Sequence, residues 1–199
     1  MMKLTLCVPL IWMLLSSAGA LECVQDSHGS DPQPCNSTDV QCLTIAVQRF
    51  NRMGDNTTSR TCAPSSLCSE DTKLLSLSFN DVKIAASLQC CSTDGCNNKD
   101  IPFPQEQKPN GLQCVTCYPL VVPCNQTLDC VGIEDRCLTV NMTEGAETHL
   151  VHGCASASLC EGDTELKFRA LTYQSIYDHR LQFSAPKCCG TSLCNSDPN

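Results

Sequence analysis

Large aromatic side chains are scarce in this chain, with one Trp, three Tyr and five Phe among 199 residues. A core built on big rings is therefore excluded, and something else must supply much of the stability. Clustered positive charge is also missing. Thirteen Lys and Arg face 21 Asp and Glu for a formal net charge of −8, which works against binding nucleic acid or an anionic membrane. An acidic surface leaves a cationic partner open, although it serves equally as a solvated face. The four histidines, His28, His149, His152 and His179, show no metal-type pairing with carboxylates. His149 and His152 are three apart, which in a strand puts them on opposite faces. No G-x-S-x-G, phosphate loop or calcium loop occurs. The expectation is a non-enzymatic protein that requires no cofactor and no metal.

What the chain has instead is cysteine, 19 of them. That density points to a disulfide scaffold and to an oxidising compartment, hence to secretion outside the cell. The N-terminus agrees: Lys3, an apolar run from Leu4 to Leu15, and small residues ending at Ala20 read as a signal peptide over 1–20. The run is too short to span a bilayer comfortably. Cleavage there removes Cys7, which leaves an even cysteine number, and Trp12, the only tryptophan. After Cys194 no apolar tail follows, so no glycolipid anchor is expected.

The remaining cysteines repeat. Thr61-Cys62-Ala63-Pro64-Ser65-Ser66-Leu67-Cys68 matches Gly153-Cys154-Ala155-Ser156-Ala157-Ser158-Leu159-Cys160 at identical spacing. Upstream, Gln41-Cys42-Leu43-Thr44 matches Arg136-Cys137-Leu138-Thr139. Downstream, Cys90-Cys91-Ser92-Thr93-Asp94-Gly95-Cys96-Asn97 matches Cys188-Cys189-Gly190-Thr191-Ser192-Leu193-Cys194-Asn195. Three blocks in one order indicate duplication. Two domains are expected, 21–100 with eight cysteines and 113–199 with ten. The intervening 101–112 contains Pro102, Pro104 and Pro109 and reads as a semi-rigid linker. Within each repeat the pattern is strand and turn. Leu138, Val140 and Met142 alternate away from Cys137, Thr143 to Glu147 turn, and His149-Leu150-Val151 return towards Cys154. Leu43 to Val47, a polar turn around Met53-Gly54-Asp55-Asn56 and a return to Cys62 do the same. Only Leu166 to Ile176 is ambiguous between helix and strand.

The ending Cys-Cys-x4-Cys-Asn, present twice, and the ten-cysteine second repeat closely resemble the lymphocyte-antigen/urokinase-receptor domain family. The two-domain layout, with Asn110-Gly111-Leu112 leading into Cys114-x-x-Cys117, looks most like its gamma-type phospholipase A₂ inhibitors. The resemblance implies an all-β, small, disulfide-rich fold: two tandem three-finger (snake-toxin-like) domains, hairpins projecting from a cystine knot. Spacing alone leaves the pairing of cysteines open. The family pattern implies Cys23–Cys42, Cys35–Cys62, Cys68–Cys90 and Cys91–Cys96 in the first domain. In the second it implies Cys114–Cys137, Cys117–Cys124, Cys130–Cys154, Cys160–Cys188 and Cys189–Cys194. Asp26 stands where the first domain lacks its second cysteine, so the first finger is expected to be looser there. Asn97 and Asn195 are implied to tie each domain's end to its central sheet. Secreted phospholipases place a catalytic His directly after a Cys-Cys pair, and neither pair here is followed by one.

Four glycosylation sequons stand at Asn36, Asn56, Asn125 and Asn141. Glycans at Asn56 and Asn141 would hinder contact at the central finger tips; the plainer reading is that they aid folding and solubility. The second domain's third finger is the better contact candidate, with 27 residues between Cys160 and Cys188 against 21 between Cys68 and Cys90. Its middle offers Tyr173, Ile176, Tyr177 and Arg180, a mix enriched at interface hot spots, unless the rings simply pack over a thin core. The expected partner is an extracellular protein, either a secreted phospholipase A₂ blocked by occlusion or a receptor ectodomain. Alternatives are a pheromone-like signalling ligand and a urokinase-receptor-like adhesion or protease-binding protein. A homo-oligomer remains open.

Overall fold

The computed structural model describes residues 20–50, 55–69, 73–117, 126–172 and 181–196. All but the last residue of the expected leader falls outside that range. In the first repeat β1 (Glu22–Val24) pairs with β2 (Pro32–Pro34). β3 (Val40–Arg49) and β4 (Asn56–Pro64) form the central hairpin, with Cys42 opposite Cys62. β5 (Leu74–Phe79) and β6 (Val82–Cys91) form the third, joined at Asn80-Asp81, and β6 lies against β3. Asn80 sits at φ 49° in that turn, a conformation that asparagine tolerates better than most residues.

The second repeat opens with β7 (Pro109–Thr116) paired with β8 (Gln126–Val131). The last residues of the expected linker are therefore strand. β9 (Arg136–Glu144) and β10 (Glu147–Ala155) turn at Gly145, φ 62°. The expected alternation is present on β9: Leu138 and Val140 are buried, while Thr139 and Asn141 are not. β11 (Leu181–Phe183) and β12 (Lys187–Cys189) both return along β9.

The ambiguous stretch, as far as it is described, is helix up to Leu171. α1 (Thr164–Leu171) starts at Asp163, whose side chain accepts a hydrogen bond from the Leu166 N–H. Glu165 and Arg169, one turn apart, pair at 2.6 Å. Lys167 donates to the Ser158 and Glu161 carbonyls, which anchors the helix to the chain before it. Phe168 stacks on Phe183 with ring centroids 5.0 Å apart. Among the described residues this α-helix departs from the expected all-β pattern. It was hard to foresee because its charged Lys167 and Arg169 are both buried.

The two repeats do not sit apart on their linker. β5 of the first pairs with β10 of the second, so one eight-stranded sheet runs β11-β9-β10-β5-β6-β3-β4, with β12 beside β9. A single apolar cluster lies under it. Leu43, Leu75 and Ile84 come from the first repeat, and Leu138, Phe168 and Leu171 from the second. Each repeat also keeps its own cystine cluster.

Candidate binding surface

The base of each repeat is covalent. The structure brings together Cys23 and Cys42, Cys35 and Cys62, Cys68 and Cys90, and Cys91 and Cys96. In the second repeat it brings together Cys114 and Cys137, Cys130 and Cys154, Cys160 and Cys188, and Cys189 and Cys194. Cys117 is also disulfide-bonded; Cys124 lies outside the described residues. Cys23, Cys35 and Cys62 crowd together, as do Cys114, Cys130 and Cys154. All six are in disulfides and so offer no thiolate to a metal.

Asn97 and Asn195 do the same work in each base. Asn97 accepts from the Val24 N–H at 2.9 Å and donates to the Val24 and Leu43 carbonyls. Asn195 accepts from the Val115 N–H at 2.9 Å and donates to the Val115 and Leu138 carbonyls. A side-chain amide, with an acceptor and two donors on one group, can tie a terminus to a first finger and a central strand together.

At the first finger the repeats differ. Cys117 exchanges backbone hydrogen bonds with His152. At the matching place Asp26 accepts from the Arg60 N–H at 2.8 Å and the Ser59 hydroxyl at 2.7 Å. A carboxylate thus takes over part of the tie that the cysteine makes in the second repeat.

The joint between the repeats is polar at its centre. Glu134 is fully buried; it accepts from the hydroxyls of Ser76 (2.8 Å) and Ser78 (2.7 Å) on β5 and from the Val131 N–H. Burial pushes its carboxyl pKa up, partly offset by the Val131 N–H, the two serines and the charge of Lys83. Farther along, the Asn80 N–H donates to the Thr116 hydroxyl. Sequence reasoning missed this joint. Its only signal was Ser76 and Ser78 alternating with Leu75 and Leu77.

Among the described residues the histidines make separate contacts. His28 meets Ser27, His149 lies 3.5 Å from Glu147, and His152 is buried with Nδ1 on Thr139; His179 is outside the described residues. Of the sequon residues, Asn36, Asn56 and Asn141 are exposed, and Asn125 is outside the described residues. Asn56 is the first residue of β4 and not part of the turn. Tyr173, Ile176, Tyr177 and Arg180 also fall outside the described residues. The structure shows only what flanks them: α1 before and β11 after, within the loop closed by Cys160–Cys188. Among the described residues, no helix is long and apolar enough to cross a membrane.

Hairpins rising from two cystine-closed bases define a small, disulfide-rich fold of the three-finger class. No family model matches the chain. It is 34% identical over 110 residues to a gamma-type phospholipase A2 inhibitor chain of Elaphe climacophora, covering 52% of this chain and 54% of that protein. Protein RoBo-1 of Rattus norvegicus is 34% identical over 103 residues, covering 47% and 42%. The urokinase plasminogen activator surface receptor of Bos taurus is 26% identical over 170 residues, covering 81% of this chain and 47% of the receptor. The chain spans about half the length of the curated relatives it matches. The solved structure of mouse TEX101 aligns at 14% identity with a TM-score of 0.27, over 82% of this chain and 87% of that one. In sequence the chain is thus similar to a gamma-type phospholipase A2 inhibitor and to urokinase plasminogen activator surface receptors.

Proposed function

We propose that this chain is a secreted, non-enzymatic binding protein whose target is a secreted phospholipase A₂, blocked by occlusion. The observation that carries the reading is the 34% identity over 110 residues to a gamma-type phospholipase A2 inhibitor. Its contact surface is the third finger of the second repeat, through Tyr173, Ile176, Tyr177 and Arg180. Tyr and Arg are the residue types that most often dominate such interfaces.

The test is titration of the purified glycoprotein into a secreted phospholipase A₂ acting on mixed micelles, with binding followed in parallel by calorimetry. Turnover should fall in step with binding. Tyr173→Ala/Tyr177→Ala should abolish both while secretion is unchanged. Full turnover at saturating glycoprotein sinks the inhibitor reading.

One observation favours a second reading, receptor-like binding of an extracellular protein ligand. The match to the bovine urokinase plasminogen activator surface receptor extends over 81% of this chain, against 52% for the snake inhibitor. Saturable binding of a protease or receptor ectodomain, with no effect on phospholipase turnover, would select it.

A further inference from the structure

Strand β5 carries an outer edge that the second repeat occupies, and each repeat owns a strand placed to take such an edge. β10 takes it; β4 is β10's counterpart, matched residue by residue through Thr61-Cys62-Ala63-Pro64 and Gly153-Cys154-Ala155-Ser156. β4 ends the sheet and, among the described residues, has no strand beyond it. Asp26 holds that edge at Arg60, and the buried Cys62 and Ala63 beyond it correspond to the stretch of β10 that takes β5; a strand end of this kind can take another chain.

Contact between β5 and β10 is short and depends on two residues. The ladder has only two steps, Cys154 opposite Ser78 and Ala155 opposite Leu77. Beyond it the Ser156 N–H donates to the Ser76 carbonyl at 2.9 Å, and the Ser156 hydroxyl accepts from the Ser76 N–H at 3.2 Å. On the near side β5 crosses so close that a Cβ on Gly153 would overlap the Ser78 carbonyl oxygen and touch the Phe79 side chain. Only glycine fits there. The counterpart positions on β4 are Thr61, which carries a branched Cβ, and Pro64, which has neither N–H nor hydroxyl. Glu134, which holds Ser76 and Ser78, has the shorter Asp39 as its counterpart, and Asp39 is exposed.

We infer that Gly153 and Ser156 direct β5 to the second repeat, and that Thr61 and Pro64 bar the first repeat's matching edge from taking β5 of a second copy of this chain. The β5–β10 contact joins unlike surfaces, so a first repeat that carried both halves could add copies head to tail without closing. Counting from Cys160 as from Cys68, the second repeat has α1 where the first has β5, so among the described residues it carries no counterpart of β5. The inference rests on the joint alone and stands whether or not the chain binds a phospholipase.

Three full-length variants test it, read by amide hydrogen exchange at Ser76 and by sedimentation. Gly153→Thr/Ser156→Pro should raise Ser76 exchange roughly 10- to 100-fold, the scale of a local opening caused by overpacking and a lost donor. Thr61→Gly/Pro64→Ser should change neither exchange nor monomer mass, because β5 is already covered. All four substitutions together move the docking residues from β10 to β4, and should yield oligomers that grow with concentration. Should the Gly153→Thr/Ser156→Pro chain not be secreted, Gly153→Ala alone must still raise Ser76 exchange by roughly tenfold. Unchanged Ser76 protection when β10 is altered overturns the inference. A four-substituted chain that stays monomeric at high concentration overturns the barrier at β4.

Discussion

Set side by side, the two repeats agree at their bases and diverge at their fingers. Cys91–Cys96 and Cys189–Cys194 each close a five-residue step, and the asparagine that follows makes the same three hydrogen bonds in both. The first and third fingers share no such rule. The first finger is held through Asp26 in one repeat and through Cys117 in the other. The third finger ascends as strand β5 in one and as helix α1 in the other. The base must satisfy buried backbone groups in a fixed geometry, which leaves little latitude. A finger need only return to its cystine, so its interior can change.

The hardest blow to that comparison would fall on α1. Phe168→Ala removes a ring that is 1% exposed and stacked on Phe183, and should cost about 3–5 kcal/mol. Thermal melts should show one cooperative transition at lower temperature, because the cluster under the sheet belongs to both repeats. Two separate transitions would mean that the repeats are energetically independent.

Next in size are the asparagines. Asn97→Ala and Asn195→Ala each orphan backbone groups in a buried base and should each cost about 1–3 kcal/mol. Chemical denaturation should place the pair within about 1 kcal/mol of one another. A large inequality would break the claim that the two bases are alike.

Smaller again is Asp26→Ala, which should cost about 1 kcal/mol. Its effect should stay local, with faster amide exchange at Arg60 and none at His152. Equal changes at both sites would show that Asp26 is not a local substitute for the cysteine tie.

The finest distinction is in pH. Burial raises the Glu134 carboxyl above its ordinary 4.5, so the folded state holds that proton more tightly than the unfolded chain. The stabilisation this provides is present below the unfolded value and is lost as pH rises through the folded one. Glu134→Gln cannot titrate, so the melting temperature of the wild type should fall relative to that of the variant from acid towards neutral pH. A wild type that gains on the variant instead would mean that Glu134 is ionised throughout.

The bases were legible because their information is local. The resemblance carried by the matched Cys-Cys-x4-Cys-Asn endings implied the asparagine ties, and the alternation of Leu138 and Val140 pointed to β9. Asp26 was visible as a missing cysteine, but its new role was not, since the donors that a carboxylate meets are chosen in three dimensions. The helix was hidden for a similar reason: Lys167 finds its carbonyl partners only because Ser158 and Glu161 fold back beside it.

Duplication and the hairpin pattern were thus set by the sequence itself, because spacing along the chain and side-chain alternation are properties of short segments; the pairing of the cysteines came only from the family resemblance. Tertiary structure alone decided that the two repeats share one sheet and one core. That joint depends on Ser76 and Ser78 meeting Glu134, and on the Ser78 carbonyl passing over Gly153, contacts 56 to 58 residues apart for the glutamate. Strand edges are chemically alike along any chain. Which edge is taken follows from which backbone can approach closely enough and which N–H remains free to donate.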